Sequence, residues 1–166
     1  MNAHRLATTL ILCLAPLAAC EQDPLPLVSV PPGAQALAIT RLGPWYYTGI
    51  TTPRRQVVTS RGTWLAAWAE INGSLTPAPP APSVDFGEEM VVLVAMGERT
   101  SGGYAIGITN VAEDPDGRYV EVLEVSPGTG CAVTLALTQP ADAVVLPAAR
   151  AAAVRFVERR EARDCR

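Results

Sequence analysis

The sequence contains no lysine, and its only histidine, His4, lies near the N-terminus. All 13 basic residues are arginine. Removal of residues 1–19 as a signal would leave a chain with neither histidine nor lysine. Such a chain cannot form a Ser–His–Asp triad, a Cys–His pair, a Ser–Lys dyad or a lysine Schiff base. Zinc sites built on histidine are excluded as well, and we expect no cofactor and no metal.

Positive charge is also scarce. The whole chain has a formal net charge of −3, and loss of Arg5 with the signal leaves 12 arginines against 16 acidic residues, or −4. Proteins that bind nucleic acids use positive charge to neutralise phosphates. We therefore expect no nucleic-acid partner.

Paired carboxylates are the catalytic chemistry that this composition leaves open, as in glycoside hydrolysis. The candidates are Glu88 with Glu89 and Asp114 with Asp116. Glu88 and Glu89 open a predicted strand, where neighbouring side chains point to opposite faces. Asp114 and Asp116 lie in "EDPDGRY", which is typical of a hairpin turn; a calcium site is the alternative there. We predict that the protein is not an enzyme.

The N-terminus has the pattern of a secretory signal, with His4 and Arg5 before an apolar run and small residues before Cys20. "LAAC" at 17–20 resembles a bacterial lipobox, in which the cysteine is lipidated and becomes the new N-terminus. This pattern predicts a lipoprotein in the bacterial cell envelope, bound to the lipid bilayer through Cys20. Glu21 favours the outer membrane, facing the periplasm. A signal cleaved after Ala19, or an uncleaved anchor, is the alternative.

Two cysteines remain after Cys13 and Cys20 are assigned to the signal and the lipid. Cys131 and Cys165 form an even pair in an oxidising compartment, which favours a disulfide. Such a bond would contribute about 3–4 kcal/mol on the chain-entropy model. Two free thiols are the alternative.

The pattern of the remaining residues predicts one domain of residues 37–166, joined to the membrane by a Pro-rich tether of residues 20–36. "SRGTWLAAWAEING" predicts one helix, capped by Ser60 or Thr63, that buries Trp64 and Trp68; a ligand platform is the alternative for the two tryptophans. Strands are predicted at 37–50, 54–60, 89–96, 104–111, 118–125, 131–138, 142–147 and 152–160. Thr76–Phe86 is expected to cross a sheet edge. The expected fold is α+β, with a mainly antiparallel sheet curled into a sandwich or half-barrel and one helix packed on it.

"TSGGY" (Thr100, Ser101, Gly102, Gly103 and Tyr104) has two interpretations. A hairpin turn could need both glycines for positive φ, with Tyr104 buried against the helix. Alternatively, the loop contacts a partner: the glycines permit close approach, the hydroxyls bring no charge, and tyrosine is common in interfaces.

Three motifs in order resemble the C-terminal domain of the PrcB family, over about 85–157. They are "TSGGY" (100–104), "PGTGC" (127–131) and "LTQP" (137–140), with a predicted strand between each. The family commonly has Pro-Thr before its Gly-Gly-Tyr, where this chain has Thr100-Ser101. The resemblance implies a protease-complex-associated protein, often a bacterial lipoprotein. "PGTGC" is alternatively a bulged turn that delivers Cys131 to its disulfide.

"TSGGY" is also similar to the inhibitory loop of chagasin-like cysteine-protease inhibitors, which carry it on an immunoglobulin-like sandwich. The Arg-Pro-Trp loop of those inhibitors is absent. The sequence thus predicts a lipid-anchored, non-enzymatic domain whose "TSGGY" loop binds a protein partner, with a protease expected and its role open between inhibitor and stabiliser. A structural envelope lipoprotein without a protease partner is the alternative.

Overall fold

The computed structural model describes residues 29–148 and 153–164. The predicted signal peptide, the predicted lipidation at Cys20, the first part of the predicted tether and Cys165 lie outside these ranges. Within them, no helix is long and apolar enough to cross a membrane.

The described residues form two four-stranded sheets and one helix. We name the sheet with strand order β1-β5-β6-β8 the outer sheet, and the sheet with order β2-β7-β4-β3 the central sheet. The elements are β1 (Gln35–Ala36), β2 (Thr40–Arg41), β3 (Arg54–Val58), α1 (Arg61–Ile71), β4 (Glu89–Ala95), β5 (Ala105–Asp114), β6 (Gly117–Pro127), β7 (Ala141–Pro147) and β8 (Val154–Arg163).

The central sheet is buried on both faces, which explains its nearly continuous apolar strands. Alternate residues of a strand point to opposite faces. Val91 and Leu93 of β4 therefore pack with the helix, whereas Val92 and Val94 pack against the outer sheet. The layers run helix, central sheet, outer sheet. The predicted α+β sandwich with one packed helix is confirmed, and the two sheets do not close into a barrel.

The helix forms where the sequence predicts it. Ser60 precedes Arg61, and its side chain accepts a hydrogen bond from the Thr63 N–H at 3.3 Å. Trp64 is buried against the central sheet, and its indole N–H donates to the Pro82 carbonyl at 3.0 Å. Trp68 donates to the Pro79 carbonyl at 2.8 Å. The Pro-rich segment therefore lies against the helix, and both tryptophans help to hold it there.

Two predicted strands are wrong. In 37–50, only Thr40–Arg41 forms a strand and Trp45 makes an isolated bridge to Ala141; Pro44, which has no N–H, interrupts the ladder between them. Residues 131–138 form no strand. They lead from β6 in the outer sheet to β7 in the central sheet, and both neighbours of β6 are already strands.

The sheets are mainly antiparallel, as the sequence predicts, and one strand pair is parallel. β8 pairs with β6 in parallel over its whole length, from Val154 beside Arg118 to Arg163 beside Pro127. The other pairs in both sheets are antiparallel. β8 therefore ends at the same end of the sandwich as β6.

Candidate functional site

The "TSGGY" loop is a connection between the two sheets, because β4 belongs to the central sheet and β5 to the outer sheet. It is therefore not the tip of a hairpin. A second connection, residues 128–140, leads back from the outer to the central sheet at the same end of the sandwich. We name these two segments the first crossover (96–104) and the second crossover (128–140).

The two crossovers lie side by side and bond to each other. The Arg99 N–H donates to the Thr138 carbonyl at 2.8 Å, and the Thr138 N–H donates back at 3.0 Å. The Gly102 N–H donates to the Thr134 carbonyl at 2.9 Å. Thr138 is buried, and its hydroxyl donates to the Ser101 carbonyl at 2.9 Å. The motifs "TSGGY" and "LTQP" thus meet, although more than thirty residues separate them in sequence.

The two glycines of "TSGGY" are each favoured at their position for a different structural reason. Gly103 has φ of +84°, a conformation that favours glycine. A Cβ atom on Gly103 would also lie 3.0 Å from Pro127 Cβ and 3.1 Å from a Val133 methyl group. Gly102 needs no positive φ, but a Cβ there would lie 2.5 Å from Thr134 Oγ1. The expectation that both glycines need positive φ is therefore correct for Gly103 alone.

"PGTGC" joins the same region through Pro127 and the end of β8. The Gly128 N–H donates to the Arg163 carbonyl at 2.9 Å, and the Cys131 N–H closes a turn onto the Gly128 carbonyl at 3.0 Å. Cys131 Sγ lies 3.4 Å from the Arg163 carbonyl oxygen, beside the strand that leads to Cys165. Since Cys165 lies outside the described residues, the Cys131–Cys165 disulfide stays a prediction.

An open groove of about 650 Å³ lies among these segments. Tyr104 and Ala105 from the first crossover and the start of β5 line it, as do Thr134 and Thr138 from the second crossover. Tyr46 and Tyr47 complete one wall, with exposed fractions of 51% and 60%. The Tyr46 carbonyl accepts from the Gln139 N–H at 2.9 Å, so these tyrosines are tied to the second crossover.

Tyr104 is half-buried, and the cluster between the two sheets surrounds its apolar part. The expectation that it packs against the helix is wrong, because the helix covers the opposite face of the central sheet. The Arg99 guanidinium lies 5.7 Å from the centre of the Tyr104 ring, a cation–π arrangement. Two charged residues from the end of β8, Arg163 and Asp164, also line the groove.

The candidate carboxylates do not form a catalytic pair in this groove. Asp164 is the only carboxylate among the described residues that line it. Asp114 accepts hydrogen bonds from the N–H groups of Asp116 and Gly117, at 2.9 and 3.0 Å, and so stabilises its own turn. Glu89 accepts from the Asp85 N–H. Within the described ranges, no cluster of three or more metal-binding side chains occurs.

Sequence reasoning missed Tyr46, Tyr47 and Asp142. Both tyrosines fall within the strand that the sequence predicts at 37–50. Asp142 is 1% exposed. The signal available in the sequence was a single acidic residue within an apolar strand. One carboxylate oxygen accepts from the Ile108 N–H at 2.8 Å and from Arg41 at 3.2 Å, and the other oxygen has no partner among the described residues. Desolvation raises the pKa of Asp142, against the opposing effects of the Ile108 and Ala143 backbone N–H groups and of Arg41.

The fold and the site define an α+β sandwich with a loop-built groove at one end, and the described residues that line this groove include no pair of carboxylates. The family model described as PrcB C-terminal matches residues 90–147. This segment runs from β4 to the end of β7 and contains both crossovers, so the predicted resemblance is confirmed there. The family is one of protease-complex-associated accessory proteins and not of known enzymes. No curated protein and no solved structure matches the chain.

Proposed function

We propose that this chain is a non-enzymatic, lipid-anchored envelope protein that binds a protein partner, a protease or a subunit of its complex, through the groove between the two crossovers. One observation carries the proposal. Three motifs that are separated in sequence meet at one end of the sandwich and build a single open groove.

The side chains in and around the groove suit a protein contact. Tyr46 and Tyr47 are more than half exposed, and Leu135 and Leu137 on the second crossover are 95% and 55% exposed. Tyrosine supplies a rigid, amphipathic contact and is enriched among the residues that dominate binding energy. Exposed apolar side chains grouped at one end of a domain are typical of an interaction site.

The position of the groove also agrees with a membrane anchor. The chain enters the outer sheet at Gln35, which pairs with Glu113 near the turn between β5 and β6. The groove lies at the other end of β5, beside Ala105. The ten residues of β5 separate these ends by about 33 Å. In a chain anchored through Cys20, the tether would thus enter the domain at the end of the outer sheet opposite the groove.

A structural envelope lipoprotein without a protease partner is the second candidate. The grouped exposed side chains favour the binding function, because a purely structural domain gains nothing from them. The proposal covers inhibition and stabilisation of a protease alike, and the similarity of "TSGGY" to chagasin-like inhibitor loops stays a prediction.

The test is a pull-down of the full-length protein from the native envelope in detergent. The double variant Tyr46→Ala/Tyr47→Ala removes exposed groove side chains and leaves the crossovers intact. Its matched control is Leu65→Ala/Leu75→Ala, which removes two exposed apolar side chains (44% and 53% exposed) from α1 and the loop after it.

We expect a protease or its subunit to be recovered with wild type and the control, and to be lost with the tyrosine variant. All three proteins should have the same circular dichroism spectrum and unfolding temperature. Equal recovery with the tyrosine variant would remove the groove as the site. The absence of any protease with wild type would favour the structural lipoprotein.

A further inference from the structure

The second crossover has a stretch of backbone with few hydrogen bonds. In residues 132–137, "AVTLAL", the Thr134 carbonyl accepts from the Gly102 N–H, and no other backbone N–H or carbonyl has a hydrogen-bond partner among the described residues. Exposed polar backbone of this kind is what an unpaired strand edge presents. The stretch is available to pair with another chain.

The existing bonds fix which backbone groups of the second crossover face the first crossover. In an extended chain, the N–H and carbonyl of alternate residues point to opposite edges. The carbonyl of Thr134 and both groups of Thr138 bond towards the first crossover. If the stretch between Thr134 and Thr138 is extended, the backbone groups of Val133, Leu135 and Leu137 lie at the opposite, open edge.

This open edge lacks the charges that protect the other edges of the fold. No charged residue occurs between Glu124 and Asp142. The outer edge strand β8, in contrast, contains Glu158, Arg159 and Arg160, and the central edge strand β3 begins with two arginines. Charged side chains on an edge strand disfavour pairing with another chain. The two long edges are thus protected, and residues 132–137 are not.

The side chains of the stretch favour an uncharged, aliphatic occupant. Leu135 is the most exposed large apolar side chain of the described residues, at 95%, and Leu137 is 55% exposed. Burial of a leucine side chain contributes to binding only against an apolar surface. A charged segment laid along this edge would lose hydration with no opposite charge on residues 132–137 to offset it.

We propose that residues 132–137 accept an extended, uncharged segment of the partner protein as an added β-strand. The inference rests on the proposed function and names its mode of recognition. Backbone hydrogen bonds to Val133, Leu135 and Leu137 provide the pairing, and the exposed leucines select aliphatic side chains on the partner segment.

Proline variants test the backbone pairing directly. Leu135→Pro removes an N–H that points to the open edge. Ala136→Pro serves as the matched control: its N–H has no partner among the described residues and faces the first crossover in the same extended geometry. Leu135→Ala removes the side chain of Leu135 and keeps its N–H. Because none of these N–H groups is bonded within the described protein, all three variants should fold.

The first probe is a seven-residue peptide of alternating threonine and valine with blocked ends. Its control carries N-methyl groups on every second backbone nitrogen, so that it cannot pair. Hydrogen exchange of residues 132–137 in the full-length protein should slow roughly tenfold or more with the first peptide, since a bonded amide exchanges only when the bond opens. The slowing should persist in Ala136→Pro and Leu135→Ala and be absent in Leu135→Pro and with the methylated peptide.

The second probe is the protein recovered in the pull-down, whose capture should fall with Leu135→Pro and persist with Ala136→Pro. Equal capture by Leu135→Pro would overturn strand addition and leave the proposed function standing. If neither probe slows hydrogen exchange of residues 132–137 in wild type, strand addition is overturned as well. If wild type is a dimer by light scattering and Leu135→Pro is a monomer, the edge binds a second copy of this chain, and the proposal of a partner segment is wrong.

Discussion

Substitution of Gly103 by alanine measures how far the "TSGGY" loop is required for folding. An L-residue in the left-handed region costs about 1–2 kcal/mol, and Gly103 has φ of +84°. The new Cβ would lie 3.0 Å from Pro127 and 3.1 Å from Val133, so two neighbours must move, at a cost of about 1–3 kcal/mol. The lower entropy of the unfolded chain with alanine offsets about 0.4–1 kcal/mol. We expect a net loss of about 1–4.5 kcal/mol in the free energy of unfolding.

Gly102→Ala should behave differently, because its closest contact is a single side-chain oxygen. A Cβ there meets Thr134 Oγ1 at 2.5 Å, and Gly102 has no positive φ. Thr134→Ala removes that atom. The double variant Gly102→Ala/Thr134→Ala should therefore recover most of the loss, with a coupling energy of about 0.5–3 kcal/mol, the range for residues in direct contact.

Urea unfolding followed by circular dichroism gives both quantities, and the midpoints should fall without a change in slope. A Gly103→Ala variant as stable as wild type would refute the packing of Gly103 between Pro127 and Val133. A Gly102→Ala variant that Thr134→Ala does not rescue would refute the contact between the crossovers. Gly62→Ala is the control, because a Cβ on this helical glycine meets no atom within 4 Å outside the neighbouring backbone of its own helix.

Three further predictions concern the rest of the fold. Desolvation raises the pKa of Asp142, so the folded state holds this proton more tightly than the unfolded chain does. The resulting contribution to stability is full below a pH of about 4 and is lost as the pH rises through the raised pKa. Urea unfolding from pH 3 upward should show this decline in wild type and not in Asp142→Asn. Trp64→Ala should cost about 3–5 kcal/mol, since Trp64 is 2% exposed, whereas Leu65→Ala should change the unfolding free energy little. Leu135→Lys should change stability by less than about 0.5 kcal/mol, and a larger loss in thermal unfolding would show that this side chain packs on the domain.

The elements with a strong local signal were predictable from the sequence. α1 begins after a serine that caps it, and it buries Trp64 fully and Trp68 partly, so local patterning and packing agree. β4 and β7 are apolar runs long enough for one strand each. The strand predicted at 131–138 failed because "AVTLAL" has the composition of a strand without a sheet edge to join. Composition sets the secondary-structure preference of a segment, and the topology of the fold decides whether that segment has a neighbouring strand to pair with.

The groove was predictable only in part. The "TSGGY" loop was identified, but as a hairpin tip or an isolated binding loop, because sequence does not show that β4 and β5 lie in different sheets. Tyr46 and Tyr47 lie more than fifty residues before that loop, and only the pairing of Trp45 with Ala141 brings them to the groove. Asp142 likewise becomes informative only when Ile108 is seen to bond to it across the sheets.

The residues at the groove divide into two groups, and this division separates a structural role from a binding role. Gly103 and Thr138 are enclosed by neighbours and bonds within the domain, so their substitution should lower stability whether or not a partner exists. Tyr47 and Leu135 are largely exposed, so their substitution should leave stability unchanged. A loss of partner binding in the second group without a loss of stability therefore cannot be attributed to a damaged fold. The two interpretations of "TSGGY" are therefore compatible. Its glycines are needed for the packing of the loop, and the packed loop positions the exposed side chains around the groove for binding.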